Sequence, residues 1–424
     1  MWKIFANATR VAPRSFWPNE STIRSHSTFI KNCQLMNPKF KSRSILQNLL
    51  LKRGTTVAVE AQSAPLRSQK VIGYWLLGCG GMVFGAVVLG GVTRLTESGL
   101  SMVTWKLLGE HRPRNQSEWE EEFKKYQQFP EFQLKNKNMK LEEFKWIWWM
   151  EYLHRQWGRT IGAAFFLPAI FFWTRGYFAK AMKFRVAVFG TLLGGQGLMG
   201  WYMVRSGLEA ERFQGPESSE PRVSQYRLAA HLSLALILYT LFIWNGLDKI
   251  MPAQNMPQGA SVAVIKQARK FRMLAHSCKG LVFLTALSGA FVAGLDAGLV
   301  YNSFPKMADK WIPDDILAFS PALRNFTENP TTVQFDHRVL GTSTLVAITG
   351  MWLLAHRRTL PPRAYRATTA VAAMAWFQVI LGITTLLTYV PVPIAASHQS
   401  GSLVLLSLAV WLTHELKLIP KIPK

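Results

Sequence analysis

Long apolar blocks separated by short basic segments most constrain how this chain can fold. A helix of about 20 apolar residues crosses the ~30 Å hydrocarbon core of a bilayer. Because 49% of the 424 residues are apolar and only 17% are charged, neither a disordered nor a collagen-like chain is expected. The sequence predicts an all-α membrane protein with eight transmembrane helices, at 71–93, 154–174, 185–204, 226–246, 272–295, 335–355, 369–390 and 394–414.

The net charge of +25 is distributed in a way that indicates membrane orientation. Nucleic-acid binding would need a basic patch on a soluble fold, whereas these basic residues lie between apolar blocks. Loops 175–185, 247–272 and 356–368 are basic, and loops 94–150, 205–225 and 296–333 are mixed or acidic. The positive-inside rule places the basic loops and both termini on one face, and no nucleic-acid partner is expected.

The first 70 residues have the composition of a targeting segment. They contain twelve Lys or Arg residues against two acids, are rich in Ser and Thr, and lack a sustained apolar run. This composition is typical of a mitochondrial transit peptide, the alternative being a disordered basic tail. A transit peptide would make the basic face the matrix. The predicted location is then the mitochondrial inner membrane, with a transit peptide and matrix segment at 1–70 and both termini in the matrix.

Four motifs occur twice in the same order, so the chain is predicted to be a parallel repeat of two four-helix bundles. The motif pairs are ESGL at 97–100 and DAGL at 296–299, EYLHR at 151–155 and QFDHR at 334–338, QGLMG at 196–200 and QVILG at 378–382, and AAH at 229–231 and ASH at 396–398. The predicted organisation is a first bundle at 71–246 that includes loop 94–150, a matrix linker at 247–271, a second bundle at 272–416 and a matrix tail at 417–424.

Four histidines are predicted to lie at one depth, two in each repeat: His154, His231, His337 and His398. Two imidazoles on neighbouring helices can supply the two axial nitrogens of a haem iron, whereas zinc or copper would need further ligands nearby. The alternative is that each His only bonds a neighbouring helix. Ionisable groups within spans are costly and usually functional, which favours haem ligation. The chain has no CxxCH motif, so covalent c-type attachment is not expected.

The repeat differs at one chemically informative position. Glu151 precedes His154 by three residues and faces the same way on a helix, whereas the equivalent residue is Gln334. A carboxylate beside only one pair indicates a base at one of two haems, the alternative being an exposed interfacial carboxylate. The repeated Arg155 and Arg338 are candidate partners for haem propionates. The alternative is that they extend to water at the interface.

The chain resembles the haem A synthase family in its mitochondrial, eukaryotic form, over essentially all of residues 70–416. The motifs that carry the resemblance are GGVTRLTESGLSM at 90–102, EYLHR at 151–155, the glycine-rich turn after Gln196, RLAAHL at 227–232, AGLDAGLVYNSFP at 293–305, FDHR at 335–338 and ASHQ at 396–399.

The resemblance implies an oxidoreductase that converts haem O to haem A for cytochrome c oxidase assembly. It would oxidise the C8 methyl of haem O to a formyl group by two successive hydroxylations. By motif, His337 and His398 would ligate a haem b cofactor, and His154 and His231 would bind the substrate haem. Glu151 would be the catalytic carboxylate.

The expected partners are haem O, inner-membrane lipid and an electron carrier, for which the family suggests a ferredoxin system. Haem O synthase and oxidase assembly factors are candidate partners, and a homo-oligomer is expected. One alternative function is a bis-His haem b cytochrome that only transfers electrons, for which Glu151 would be dispensable. A transporter or scaffold is a further alternative, although transporter sites usually lie near the bilayer centre.

Overall fold

The computed structural model describes residues 66–107, 109–209 and 221–420, and the regular structure in these ranges is helical. The described residues contain no β-strand, only an isolated bridge between Met307 and Lys310. The predicted all-α class is therefore confirmed. The predicted transit peptide lies outside the described residues except for 66–70, which begin the first helix. The matrix tail lies outside them at 421–424.

Eight helices of 24 or more residues occur in the described ranges. They are α1 Leu66–Leu95, α2 Leu141–Thr174, α3 Lys180–Gly207, α4 Gln225–Ile250, α5 Val262–Gly294, α6 Pro330–Ala355, α7 Pro362–Leu387 and α8 Val392–Glu415. Each predicted span coincides with one of them, and the predictions overrun a helix end only at 295 and 388–390.

Six of the eight helices, α1 and α4 to α8, are long and apolar enough to cross a membrane, as in a multi-pass membrane protein. The two others fall short for reasons visible in their sequences. In α2, Glu151, Arg155 and Arg159 interrupt the apolar residues, and α3 is rich in glycine with Gln196 near its middle. Of these two helices, α2 also carries Glu151 and Arg155, the residues predicted to lie beside the first pair of histidines.

Two helices begin well before their predicted spans. α2 begins at Leu141 instead of 154, because the Lys140 N–H donates to Glu143 Oε2 at 2.8 Å and the first turns bury apolar residues. α5 begins at Val262 instead of 272, with Ser261 Oγ accepting from the Val264 N–H at 3.3 Å. The predicted linker 247–271 is therefore helical at both ends, and only 251–261 connects the repeats without helix.

The buried apolar residues of the two halves form one continuous cluster. α1, α4, α5 and α8 lie between the halves, with α1 against α4, α4 against α5, α5 against α8, and α8 against α1. Side chains of these helices meet across the halves, as Tyr239 Oη on α4 and Ser407 Oγ on α8 do at 2.6 Å. The repeat is therefore visible in helix order, whereas the core is shared and does not divide into two separate bundles.

The loop between α1 and α2 is a folded cap. It contains the short helices Gln116–Gln127 and Pro130–Leu134. We call the buried side chains that join these helices to α2 the aromatic cap: Met102, Tyr126, Phe144, Ile147 and Trp148. The aromatic cap ends beside Glu151 on α2, so the loop excludes solvent from that carboxylate.

Candidate functional site

The four predicted histidines occupy equivalent positions on α2, α4, α6 and α8, and each packs against a glycine of the preceding helix. A Cβ atom added at that glycine would lie 2.9 Å from His154 Cε1 at Gly90, 3.4 Å from His231 Cε1 at Gly200, 3.4 Å from His337 Cε1 at Gly289, and 2.8 Å from His398 Cε1 at Gly382. The glycines leave room for the imidazoles. This shared contact extends the sequence repeat to three-dimensional packing.

The second pair of histidines has the spacing of two axial ligands. The ring centres of His337 and His398 lie 6.4 Å apart, with their planes at 90°. A metal–nitrogen bond of about 2 Å, with the nitrogen about 1 Å from its ring centre, places two opposed imidazoles about 6 Å apart. The observed separation therefore fits an iron held between the two rings.

The two pairs differ in how their Nδ1 atoms are held. His337 Nδ1 lies 2.7 Å from Ser288 Oγ, which donates to the Thr285 carbonyl, and His398 Nδ1 lies 3.1 Å from Gln378 Nε2. The Nδ1 atoms of His154 and His231 are buried and have no hydrogen-bond partner. Ser288 Oγ can accept the proton on His337 Nδ1, which orients a metal-ligating imidazole and leaves its Nε2 free for the metal. The Gln378 amide N–H can only donate to His398 Nδ1, so it orients that ring without selecting this tautomer. The second pair is thus the more firmly oriented one.

Glu151 is buried, at 2% exposure, and both of its carboxylate oxygens accept hydrogen bonds. Its Oε2 accepts from Ser101 Oγ at 2.8 Å and from the Met102 N–H at 2.7 Å, and its Oε1 accepts from Arg155 Nη2 at 2.6 Å. An exposed interfacial carboxylate is therefore the wrong description of Glu151. Donors on both oxygens hold the carboxylate in one orientation, one helical turn before His154.

Arg155 points into the protein and not to open water. Its Nη1 donates to the Thr104 carbonyl at 2.7 Å, and its Nη2 donates to the Met102 carbonyl at 2.8 Å in addition to Glu151. Glu110, 6% exposed at its side chain, lies 3.4 Å from Arg155 and 3.1 Å from Arg159. These contacts tie the loop between α1 and α2 to the middle of α2.

The second half repeats this arrangement with a neutral residue. Arg338 Nη2 donates to Gln334 Oε1 at 2.9 Å and to the Tyr301 carbonyl at 2.8 Å, and Tyr301 is the repeat equivalent of Met102. Gln334 Nε2 donates in turn to the Ala297 carbonyl at 2.6 Å. Arg338 Nε is buried and unpartnered, so this guanidinium retains a donor for an acceptor group that the described residues do not supply.

Three residues that contact the candidate site were not predicted from the sequence: Ser101, Ser288 and Glu110. Aligning the two repeats residue by residue would have identified Ser101 and Ser288. Their equivalents are Val300 and Leu89, so each hydroxyl is replaced by an apolar side chain in the other repeat. Glu110 lies in a loop segment with no repeat counterpart among the motifs. No sequence signal distinguishes it from the other acidic residues of that loop.

Comparison with known proteins identifies the family of this chain. Residues 73–410 match the family model COX15-CtaA, described as cytochrome oxidase assembly protein. The chain is 54% identical over 381 residues to "Heme A synthase COX15" of Bos taurus, covering 89% of both chains. It is 47% identical to the protein of the same name in Arabidopsis thaliana, over 83% of this chain and 76% of that one. It is 36% identical to a "Heme A synthase-mitochondrial ferredoxin fusion protein" of Schizosaccharomyces pombe, over 93% of this chain and 67% of the relative.

Proposed function

Since the chain belongs to the COX15-CtaA family of cytochrome oxidase assembly proteins, we propose that it is a haem A synthase. The proposed reaction oxidises the C8 methyl of haem O to a formyl group in two hydroxylations. The observation that carries this proposal is the asymmetry of an otherwise repeated site. A buried carboxylate, Glu151, lies beside the first pair of histidines, and the neutral Gln334 lies beside the second.

We propose His337 and His398 as the residues that hold a resident haem b. Their 6.4 Å ring separation and the Ser288 hydroxyl at Nδ1 of His337 support this assignment. When bound, the haem would supply a one-electron redox centre. The unpartnered Nε of Arg338 favours this residue as the propionate partner in the second half.

We propose that His154 and His231 receive the substrate haem, with Glu151 as the catalytic carboxylate. The unpartnered Nδ1 atoms of these histidines suit a ligand that must exchange, because weakly oriented imidazoles hold a metal less firmly. Glu151 would accept a proton as the substrate methyl is oxidised. Arg155 would keep the carboxylate in place from one side while Ser101 and Met102 do so from the other.

The proposed setting is the mitochondrial inner membrane, with α2 and α3 completing eight spans and both termini in the matrix. The lower hydropathy of α2 and α3 is what helices lining a polar ligand site require. A ferredoxin system is the proposed electron carrier, which the fused architecture of the Schizosaccharomyces pombe relative supports. The alternative of a cytochrome that only transfers electrons gives no role to a buried carboxylate at one site.

The Glu151→Gln variant tests this function. It should be produced in cells that depend on it for haem A, followed by pigment extraction and chromatography. We expect haem A to be lost and haem O to accumulate, while the purified variant retains haem b. The matched control is Glu142→Gln, an exposed carboxylate on the same helix, which should preserve haem A. Haem A at the normal level in Glu151→Gln would refute the catalytic role, and wild-type protein without haem b would refute the cofactor site.

A further inference from the structure

Gln399, which follows His398 on α8, reaches across the boundary between the two halves. Its Nε2 donates to the Val87 carbonyl of α1 at 2.8 Å. Its amide also occupies the space in which a side chain at position 91 would lie, since a Cβ added at Gly91 would be 1.8 Å from Gln399 Oε1. Gly91 is therefore required for this contact, because no side chain could share that space.

The same stretch of α1 contacts the other histidine pair. Gly90, the neighbour of Gly91, is the glycine that packs against His154. A Cβ atom added at Gly90 would lie 2.9 Å from His154 Cε1. His398 is thus joined to His154 through the Gln399 amide and two consecutive glycines. Only two non-covalent contacts separate a proposed cofactor ligand from a proposed substrate ligand.

This connection exists at one of the two equivalent boundaries. The repeat equivalents of Gln399 and Gly91 are Leu232 and Ala290. Leu232 has no amide to donate, and Ala290 carries the Cβ that Gly91 lacks. The link between the halves at α1 and α8 therefore cannot be reproduced between α4 and α5, and it is not a by-product of the repeat.

We propose that Gln399 is a positioning residue that couples the two haem sites, so that a ligand seated on His154 changes the surroundings of His398. The proposal rests on the proposed function. Protein interiors are close-packed, so a shift of the backbone at 90–91 against a ligated imidazole must move an amide in such close contact. Coupling between two sites is a free energy, and it is measurable as a change at one site when the other is filled.

The experiment is a redox titration of haem b in the purified, detergent-solubilised full chain, with and without gallium(III) protoporphyrin in the first site. This probe takes two axial ligands and does not change oxidation state in the titration, and its own absorbance reports binding. In wild-type protein we expect the probe to shift the haem b midpoint potential by about 59 mV, which corresponds to tenfold coupling for one electron.

The shift should disappear in Gln399→Leu, which introduces the leucine found at the equivalent position 232. It should also disappear in Gly91→Ala, because the added methyl group displaces the Gln399 amide while the glutamine itself is kept. Leu232→Gln is the matched control and should keep the full shift. No shift in wild-type protein, or an undiminished shift in Gln399→Leu with the probe bound, would overturn the coupling alone. Wild-type protein that contains no haem b would overturn the proposed function and the coupling with it.

Discussion

Glu151 and Arg155 form an ion pair one helical turn apart, with 2.6 Å between Oε1 and Nη2 and side-chain exposures of 3% and 9%. Gln334 and Arg338 form the equivalent pair through a hydrogen bond of 2.9 Å from the guanidinium to a neutral amide. The two halves therefore use one geometry with different charge. A buried carboxylate depends on its cation, because an isolated buried charge is strongly unfavourable.

Removal of the guanidinium should consequently lower the free energy of unfolding more in the first half than in the second. We expect Arg155→Leu to lower the free energy of unfolding by about 3–5 kcal/mol, the usual cost of leaving a buried charge without its partner. Arg338→Leu leaves only a neutral amide behind and should cost about 1–3 kcal/mol. Unfolding in a denaturing detergent, followed by tryptophan fluorescence, measures both.

The double variant Glu151→Gln with Arg155→Leu is the control for this comparison. It should recover part of the loss, because the amide that replaces the carboxylate carries no charge to bury. Equal losses for Arg155→Leu and Arg338→Leu would show that the charge of Glu151 contributes nothing to the difference.

The sequence was sufficient to predict the helices and the matching positions of the four histidines on them, because both depend on periodic and repeated patterns. Apolar length defined the spans, and the repeat placed His154 and His337 at matching positions. It was not sufficient for the contacts that distinguish the halves. The partner of His337 comes from the preceding helix, at Ser288, and its identity depends on which face of that helix is turned inward. The shared core likewise depends on packing between helices distant in sequence.

The hydrogen bond between His337 Nδ1 and Ser288 Oγ should govern retention of haem b. In Ser288→Ala we expect haem b affinity to fall by about 10–100-fold, the usual effect of losing a partner that orients a metal ligand. The purified protein is dialysed against a haem-binding acceptor, and its remaining haem is measured as the pyridine haemochrome. The haem retained per protein gives the affinity. Leu89→Ser is the reciprocal variant, because position 89 is the equivalent of 288. It should slow the release of haem from the first site, and unchanged retention in both variants would remove the role assigned to this hydroxyl.

The glycines that face the imidazoles should differ in their tolerance of a methyl group. At Gly382 a Cβ would lie 2.8 Å from His398 Cε1, too close without movement of the ring, whereas at Gly289 it would lie 3.4 Å from His337 Cε1. Gly382→Ala should therefore lose most of its haem b and Gly289→Ala should keep most of it. The ratio of the haem absorbance to that of the protein measures this directly. Similar haem loss in both variants would indicate that helix flexibility, and not ring displacement, decides the outcome.

A further buried carboxyl group, that of Glu131, lies against the aromatic cap and should make the loop sensitive to pH. Glu131 is 5% exposed, and Tyr126 donates its hydroxyl to Glu131 Oε2 at 3.0 Å. Burial raises the pKa of Glu131 to about 8. This value already includes smaller effects: the charges of Glu151 and Glu97 raise the pKa, while the Tyr126 hydrogen bond and Lys135 lower it.

A glutamate in the unfolded chain has a pKa of about 4.3, so between about pH 4.3 and 8 the folded chain holds a proton that the unfolded chain has released. The free energy of unfolding should therefore fall as the pH rises through this window, by at most about 1.4 kcal/mol per pH unit for this group. Glu131→Gln should remove this contribution, whereas the exposed Glu121→Gln in the same loop should keep it. Hydrogen–deuterium exchange in the helix Gln116–Gln127 between pH 5 and 8, corrected for intrinsic exchange rates, would report the difference, and parallel pH profiles for wild type and Glu131→Gln would contradict it.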